Sequence, residues 1–104
     1  MARHTLGTSI ASNANYPDNN GISWHGGVGT LDVTGTLTAA TATLQTSIDG
    51  GTTWIAVGSN TTLTAVGVAN FELGRGNSLS DRKIRLNVAG VSGDSFNAYI
   101  SDNR

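Results

Sequence analysis

Histidine side chains are the first residues of this 104-residue chain to consider for chemistry. Acyl transfer by a serine or threonine hydroxyl needs a nearby imidazole base, and a third group must orient that base. The chain has two histidines, His4 and His25. His4 lies near the N-terminus and His25 stands beside two glycines, which is typical of surface or loop positions. The sequence therefore predicts no catalytic histidine.

Carboxylates are the second candidates, because two of them at a suitable separation would permit glycoside hydrolysis. Most stand in turn sequences, where Asp is favoured because its side chain accepts hydrogen bonds from the local backbone. No Asp-x-Asp-x-Asp-Gly calcium loop is present, and cysteine is absent, so no thiolate metal site is available. We expect no catalytic residue, no metal and no cofactor. The carboxylates are Asp18, Asp32, Asp49, Glu72, Asp81, Asp94 and Asp102.

The composition limits the classes of partner. Charged residues make up 12% of the chain and the net charge is −1, so no overall field attracts nucleic acid or an acidic membrane surface. No segment approaches the roughly 20 apolar residues of a transmembrane helix. The sequence predicts a protein made in the cytoplasm that binds neither nucleic acid nor membrane, and that leaves the cell only as part of a larger assembly.

The clearest local signal is a turn between two extended runs. Residues 41–48 alternate between two faces, with the period of two of a half-buried strand. Residues 52–57 are rich in β-branched and aromatic side chains, as strands are. Between them Asp49-Gly50-Gly51 can adopt positive φ angles, because glycine has no Cβ to clash. The sequence predicts a β-hairpin here.

Residues 47–54 resemble the Asp box, Ser-x-Asp-x-Gly-x-Thr-Trp, a hairpin signature best known from sialidase propeller blades. Its defined positions are Ser47, Asp49, Gly51, Thr53 and Trp54. The resemblance implies that Asp and Ser/Thr side chains bond the turn backbone while the Trp packs over the hairpin. A propeller needs several boxes at a period of roughly 40 to 50 residues, which this length excludes. If the indole of Trp54 lies in the core, Trp54→Ala should cost about 3 to 5 kcal/mol.

The remaining chain reads as further short strands. Residues 82–89 alternate most clearly, with Ile84, Leu86 and Val88 facing inward, and no stretch has helical periodicity. Seven to nine short strands predict an all-β fold, a single antiparallel β-sandwich of jelly-roll or immunoglobulin-like connectivity. Residues 21–104 would form this domain. Residues 1–20 would form an N-terminal arm and loop, which could pair with the domain's own sheet or with a neighbouring subunit.

Cations and aromatic rings supply the binding hypotheses. Lys83 and Arg85 share the outward face of one strand, where they could meet a partner or only solvent. Trp24, Tyr16 and Tyr99 could line a flat platform for saccharides, or pack in the core and loops. A glycan-binding fibre or tail module is therefore the alternative function.

Residues 41–101 resemble small virion proteins of tailed bacteriophages, in particular capsid decoration (cement) proteins. The resemblance rests on three segments, which are residues 42–55, residues 67–73 and residues 83–88. Similar hairpin-and-strand sequences, poor in charge and free of cysteine, recur in phage structural proteins. The first 20 residues carry no matching signature.

The resemblance implies a non-enzymatic protein on the capsid exterior that binds the major capsid protein and reinforces the joints between capsomers, commonly as a homotrimer at three-fold or quasi-three-fold positions. We expect residues 1–20 to contact the capsid or a neighbouring subunit, so that deleting residues 2–15 would keep the fold but reduce capsid occupancy. The candidate contact residues are Arg3, His4, Leu6, Ile10, Tyr16, Lys83 and Arg85.

Overall fold

Ten β-strands account for most of the residues that the computed structural model describes, which are 3–24, 26–73 and 82–102. One turn of 3-10 helix, Ser59–Thr61, lies between two of them. The strands are β1 Arg3–Ile10, β2 Ala14–Tyr16, β3 Ile22–Trp24, β4 Gly27–Thr36, β5 Thr41–Ser47, β6 Ile55–Ala56, β7 Thr62–Leu63, β8 Gly67–Leu73, β9 Arg82–Ala89 and β10 Ser95–Asp102. The count exceeds the predicted seven to nine because four of the strands have only two or three residues.

The strands form two antiparallel sheets that pack face to face, which confirms the predicted β-sandwich. The first sheet has the order β1-β10-β4-β8. In the second sheet β9 and β5 are central, β2 and β3 pair with the outer side of β9, and β6 and β7 pair with the outer side of β5. Each of these two short pairs therefore acts as one interrupted strand.

Counted in this way, the chain has eight strands and a jelly-roll connectivity. The first strand pairs with the last (β1 with β10), the second with the seventh (β2 and β3 with β9), the third with the sixth (β4 with β8), and the fourth with the fifth (β5 with β6 and β7). This is the order produced when one long hairpin rolls up into two sheets. Of the two connectivities left open by the sequence, the strand order selects the jelly roll.

The core lies between the sheets and follows the predicted alternation. Ile84, Leu86 and Val88 of β9 face the alternate residues of β10, and all are at most 2% exposed. The inward residues of β4 and β5 complete the same layer. Most outward residues of these strands are polar, with Val28 of β4 as an exposed apolar exception. This is the pattern of an antiparallel sheet with one solvated face.

β1 belongs to this sandwich and is not a free arm. It pairs with β10 from Arg3 to Ile10, and Leu6 and Ile10 are each 2% exposed in the core. Its register shifts twice, and Ser9 has a φ of 50°. Such bulges break the strict alternation of a strand, which made the pattern weak in the sequence. Of the two pairings that the sequence left open for residues 1–20, the structure has pairing with the domain's own sheets, since β1 and β2 are strands of them.

A buried carboxylate ties two connections together at one end of the sandwich. Asp94 accepts hydrogen bonds from the N–H groups of Thr38, Ala39 and Ala40 at 2.8, 3.1 and 3.1 Å, and from that of Ser92 at 3.1 Å. Burial raises the pKa of Asp94, but these bonds outweigh it and hold the pKa at about 2 instead of 3.8. The β4–β5 connection is thus fixed to the turn before β10.

Candidate functional site

The Asp-box hairpin has the hydrogen bonds that the resemblance implies. The Ser47 hydroxyl donates to Asp49 Oδ1 at 2.7 Å, and the Gly51 N–H donates to Ser47 Oγ at 2.9 Å. Asp49 Oδ1 also accepts the N–H groups of Thr52 and Thr53 at 3.1 and 2.9 Å. These bonds keep residues 48–53 in the turn, so β6 begins only at Ile55 and is shorter than the predicted run of residues 52–57.

Hydrogen bonding also lowers the pKa of the turn's carboxylate. The N–H of Thr53 and the hydroxyl of Ser47 lower the pKa of Asp49 to about 2. Asp49 Oδ1 is occupied by donors of its own turn. Its arrangement is that of a structural residue, since its oxygen is directed at backbone donors.

Trp54 packs on the outside of the second sheet and not in the core. Its Nε1 donates to the Gly51 carbonyl at 2.9 Å, and the Arg85 guanidinium lies 4.2 Å from the ring centroid. The indole is half-buried. Burial lowers the pKa of Arg85, which also donates to Gln45 Oε1 at 2.8 Å and to the Asn19 carbonyl at 3.0 Å. Trp54 thus joins the hairpin to β9. Because the indole is not in the core, the cost of about 3 to 5 kcal/mol expected for removing a core tryptophan does not apply to Trp54→Ala.

The outer face of the second sheet is lined by amides and two cations. Asn87 Nδ2 donates to Asn15 Oδ1 at 2.8 Å, and Asn15 Nδ2 donates to Asn19 Oδ1 at 2.8 Å. Lys83 and Arg85 lie on the same face of β9 and are half-buried. The face is polar and largely occupied by its own hydrogen bonds.

The outer face of the first sheet is different. Tyr99 of β10 lies between Thr5 of β1 and Asp32 of β4, and the Arg3 guanidinium stacks 4.9 Å from its ring centroid. Val68 of β8 lies opposite Asp32 and is 68% exposed. This face therefore combines a tyrosine, an arginine and an exposed valine with Asp32, and tyrosine and arginine are enriched at protein interfaces.

The candidate contact residues do not share one surface. Leu6 and Ile10 are core residues that a partner cannot reach, so their assignment as contact residues is wrong. Tyr16 packs against the core, and its hydroxyl donates to the Ser12 carbonyl at 2.8 Å. His4 is exposed on β1. Arg3 is on the outer face of the first sheet, whereas Lys83 and Arg85 are on the opposite side of the sandwich.

The saccharide platform does not form from its three aromatic residues. Trp24 is 2% exposed in the core, where its ring centroid lies 5.4 Å from that of Phe71, so its placement in a platform is wrong. Its Nε1 is buried and has no hydrogen-bond partner among the described residues. Tyr16 and Tyr99 lie on different sheets. No local signal in the sequence shows which of these rings share a surface.

The exposed apolar side chains form a feature that the sequence interpretation missed. Among the described residues, every large hydrophobic side chain that is exposed lies on or beside β4, β8 or the β5–β6 hairpin. The strand order places β8 and the β5–β6 hairpin at one edge of the sandwich, and Val28 lies on β4, the strand next to β8. We call this set the apolar edge; it consists of Val28, Ile48, Ile55, Val66 and Val68.

No pocket and no group of three metal-ligating side chains lies within the part of the chain that the structure describes. His25 and Asp81 fall outside that part. None of its segments is a helix long and apolar enough to cross a membrane. The chain matches no protein-family model, no curated protein sequence and no solved structure.

Proposed function

We propose that this chain is a non-enzymatic structural protein of a tailed-bacteriophage virion. It binds the outer surface of the capsid, stabilises the joints between capsomers and assembles as a trimer. The sequence resemblance over residues 41–101 suggests this role, and the jelly roll is compatible with it, because viral capsid and lectin domains use this architecture.

The apolar edge is the observation that carries the proposal. Val68 is 68% exposed and Ile55 is 62% exposed, while Val28, Val66 and Ile48 are between 43% and 49% exposed. The opposite edge of the sandwich, formed by β1, β2 and β3, has no exposed large hydrophobic side chain among its described residues. Exposed apolar side chains gathered on one side of a sandwich form a surface whose burial stabilises association.

This distribution moves the proposed capsid contact away from the N-terminus. Residues 3–10 are paired in the first sheet, and their two largest apolar side chains are in the core. We therefore assign the capsid contact to the apolar edge. Residues 1–20 would contribute to binding only by stabilising the fold. Deleting residues 2–15 would remove β1 and most of β2, so we expect that truncation to unfold the domain.

The shape of the sandwich limits how three copies could form a closed ring. A cyclic trimer is head-to-tail, so each copy uses two different surfaces. The outer faces of the two sheets point in opposite directions, and contact between them would build an open stack. An edge against a face makes an angle that can close. The outer face of the first sheet, around Tyr99 and Arg3, would supply the face of this contact. The apolar edge, which is assigned to the capsid, would stay outside it.

Co-sedimentation with capsids assembled from the major capsid protein alone tests the proposal. We expect saturable binding of the intact chain and at least an about tenfold weaker binding of the Ile55→Ser/Val68→Ser variant, as for loss of interface anchors. Thr8→Ala, an exposed change on the opposite edge, is the control and should bind normally. An intact chain that does not bind would contradict the capsid role. Normal binding by the double variant would contradict only the assignment to the apolar edge.

A further inference from the structure

The loop between β2 and β3 contains the one Asn-Gly pair in the sequence, Asn20-Gly21. Asparagine followed by glycine is chemically labile. The glycine backbone nitrogen can attack the asparagine side-chain carbon Cγ, since glycine has no side chain to hinder the approach. The new N–C bond closes a succinimide ring and ammonia leaves. Water then opens the ring to give aspartate or isoaspartate, so the net reaction consumes water and releases ammonia.

Glycine is required at position 21 by the packing of this loop. Its φ is 69°, in the region that favours glycine. A Cβ there would collide with the Ile84 carbonyl oxygen of β9 and would lie 2.9 Å from Trp54 Cη2. Neither the β9 backbone nor the indole, which Arg85 and Gly51 hold, can move aside readily. The fold therefore keeps a labile pair in an exposed loop.

Asn20 is also the asparagine with the least restrained side chain. Every other asparagine among the described residues has a side-chain hydrogen bond to another part of the chain. The carboxamide of Asn20 has none, and the residue is exposed. Its Cγ is thus accessible to the neighbouring nitrogen and to water.

Asp18 holds the attacking nitrogen. Its Oδ1 accepts the N–H of Gly21 at 3.0 Å and that of Asn20 at 2.8 Å, and its backbone carbonyl lies 3.3 Å from the same Gly21 nitrogen. Succinimide formation requires this nitrogen to lose its proton and turn toward Cγ. A carboxylate that accepts the proton in a hydrogen bond opposes both steps, because its negative charge disfavours an amide anion and the bond fixes the peptide plane.

We infer that Asn20-Gly21 is the site of spontaneous deamidation in this protein and that Asp18 slows the reaction. The product would carry a second carboxylate beside Asp18. Isoaspartate would also add a backbone atom where Gly21 fits between Ile84 and Trp54. Deamidation should therefore loosen the loop from Arg85, which binds the Asn19 carbonyl.

The test follows intact mass and peptide maps of the purified chain during incubation in mildly alkaline buffer. We expect a gain of about one dalton per modified chain, confined to the peptide that contains Asn20. Asp18→Ala should react about tenfold faster, which corresponds to loss of one charge-assisted hydrogen bond. Asp18→Ser, which keeps a side-chain oxygen at the turn, should react at an intermediate rate. Asn20→Ser should abolish the gain.

A second measurement separates faster deamidation caused by loss of the Asp18 hydrogen bonds from faster deamidation caused by unfolding of a variant. The rate of the intact chain in concentrated urea gives the value for an unfolded loop, and circular dichroism reports whether each variant is folded. A folded Asp18→Ala variant that reacts at the intact chain's rate would overturn the role of Asp18. First modification at another asparagine would overturn Asn20-Gly21 as the site. An equal rate in urea and in buffer for the intact chain would show that the folded loop does not slow the reaction.

Discussion

Leu6→Ala tests whether β1 is part of the core. The Leu6 side chain is 2% exposed and packs between the sheets with Ile10. Truncating a buried leucine to alanine removes its transfer free energy and leaves a cavity, which together cost about 2 to 5 kcal/mol. Taking about 3 kcal/mol, and 4 to 8 °C per kcal/mol for a domain of about this size, the melting temperature should fall by roughly 12 to 24 °C. This is a large part of the typical stability of a domain, which is about 5 to 15 kcal/mol.

The assay is urea and thermal unfolding followed by tryptophan fluorescence and circular dichroism. Thr8→Ala is the matched control, because Thr8 is on the same strand and exposed. An exposed substitution of this kind should change the free energy of unfolding by no more than about 0.5 kcal/mol. If Leu6→Ala unfolds at the same temperature as Thr8→Ala, β1 is not in the core and the placement of residues 3–10 is wrong.

Two further perturbations test the indole positions and the buried carboxylate. Trp24→Ala should lower the free energy of unfolding by about 3 to 5 kcal/mol, because the ring is in the core. Trp54→Ala should lower it by about 1 to 2 kcal/mol, since it removes one hydrogen bond and one stacked guanidinium. Equal losses of melting temperature would contradict these placements. The pKa of Asp94 is about 2 in the folded chain and ordinarily 3.8, so its contribution is complete above pH 3.8 and is lost as the pH falls toward 2. Urea unfolding between these pH values should show a shallower acid dependence for Asp94→Asn than for the intact chain, and identical slopes would contradict the bonding of Asp94.

The fold could be predicted where local pattern and tertiary role coincide. β9 alternates strictly because it has one face in the core and the other toward solvent, so Ile84, Leu86 and Val88 were predicted correctly to face inward. The hairpin was predictable because the turn is closed by its own side chains, and Ser47 and Asp49 need no distant partner.

The errors come from features that only the whole fold decides. The sequence left open whether the N-terminal residues pair with their own sheet, because the bulges of β1 weaken the alternation around Ser9. Trp24 and Trp54 both follow strand-like residues, and no local signal shows that the first sheet covers only Trp24. The apolar edge likewise depends on strand order, which brings β8 and β6 to the same side although they are separated along the chain by β7 and the 3-10 turn.

Cryo-electron microscopy of the virion that carries this chain is the most direct test of the proposed role. We expect density for a jelly-roll trimer on the capsid exterior, at three-fold or quasi-three-fold positions. Ile55 and Val68 should lie at the contact with the major capsid protein. Density for this chain in a tail or fibre, or its absence from the particle, would contradict the capsid role.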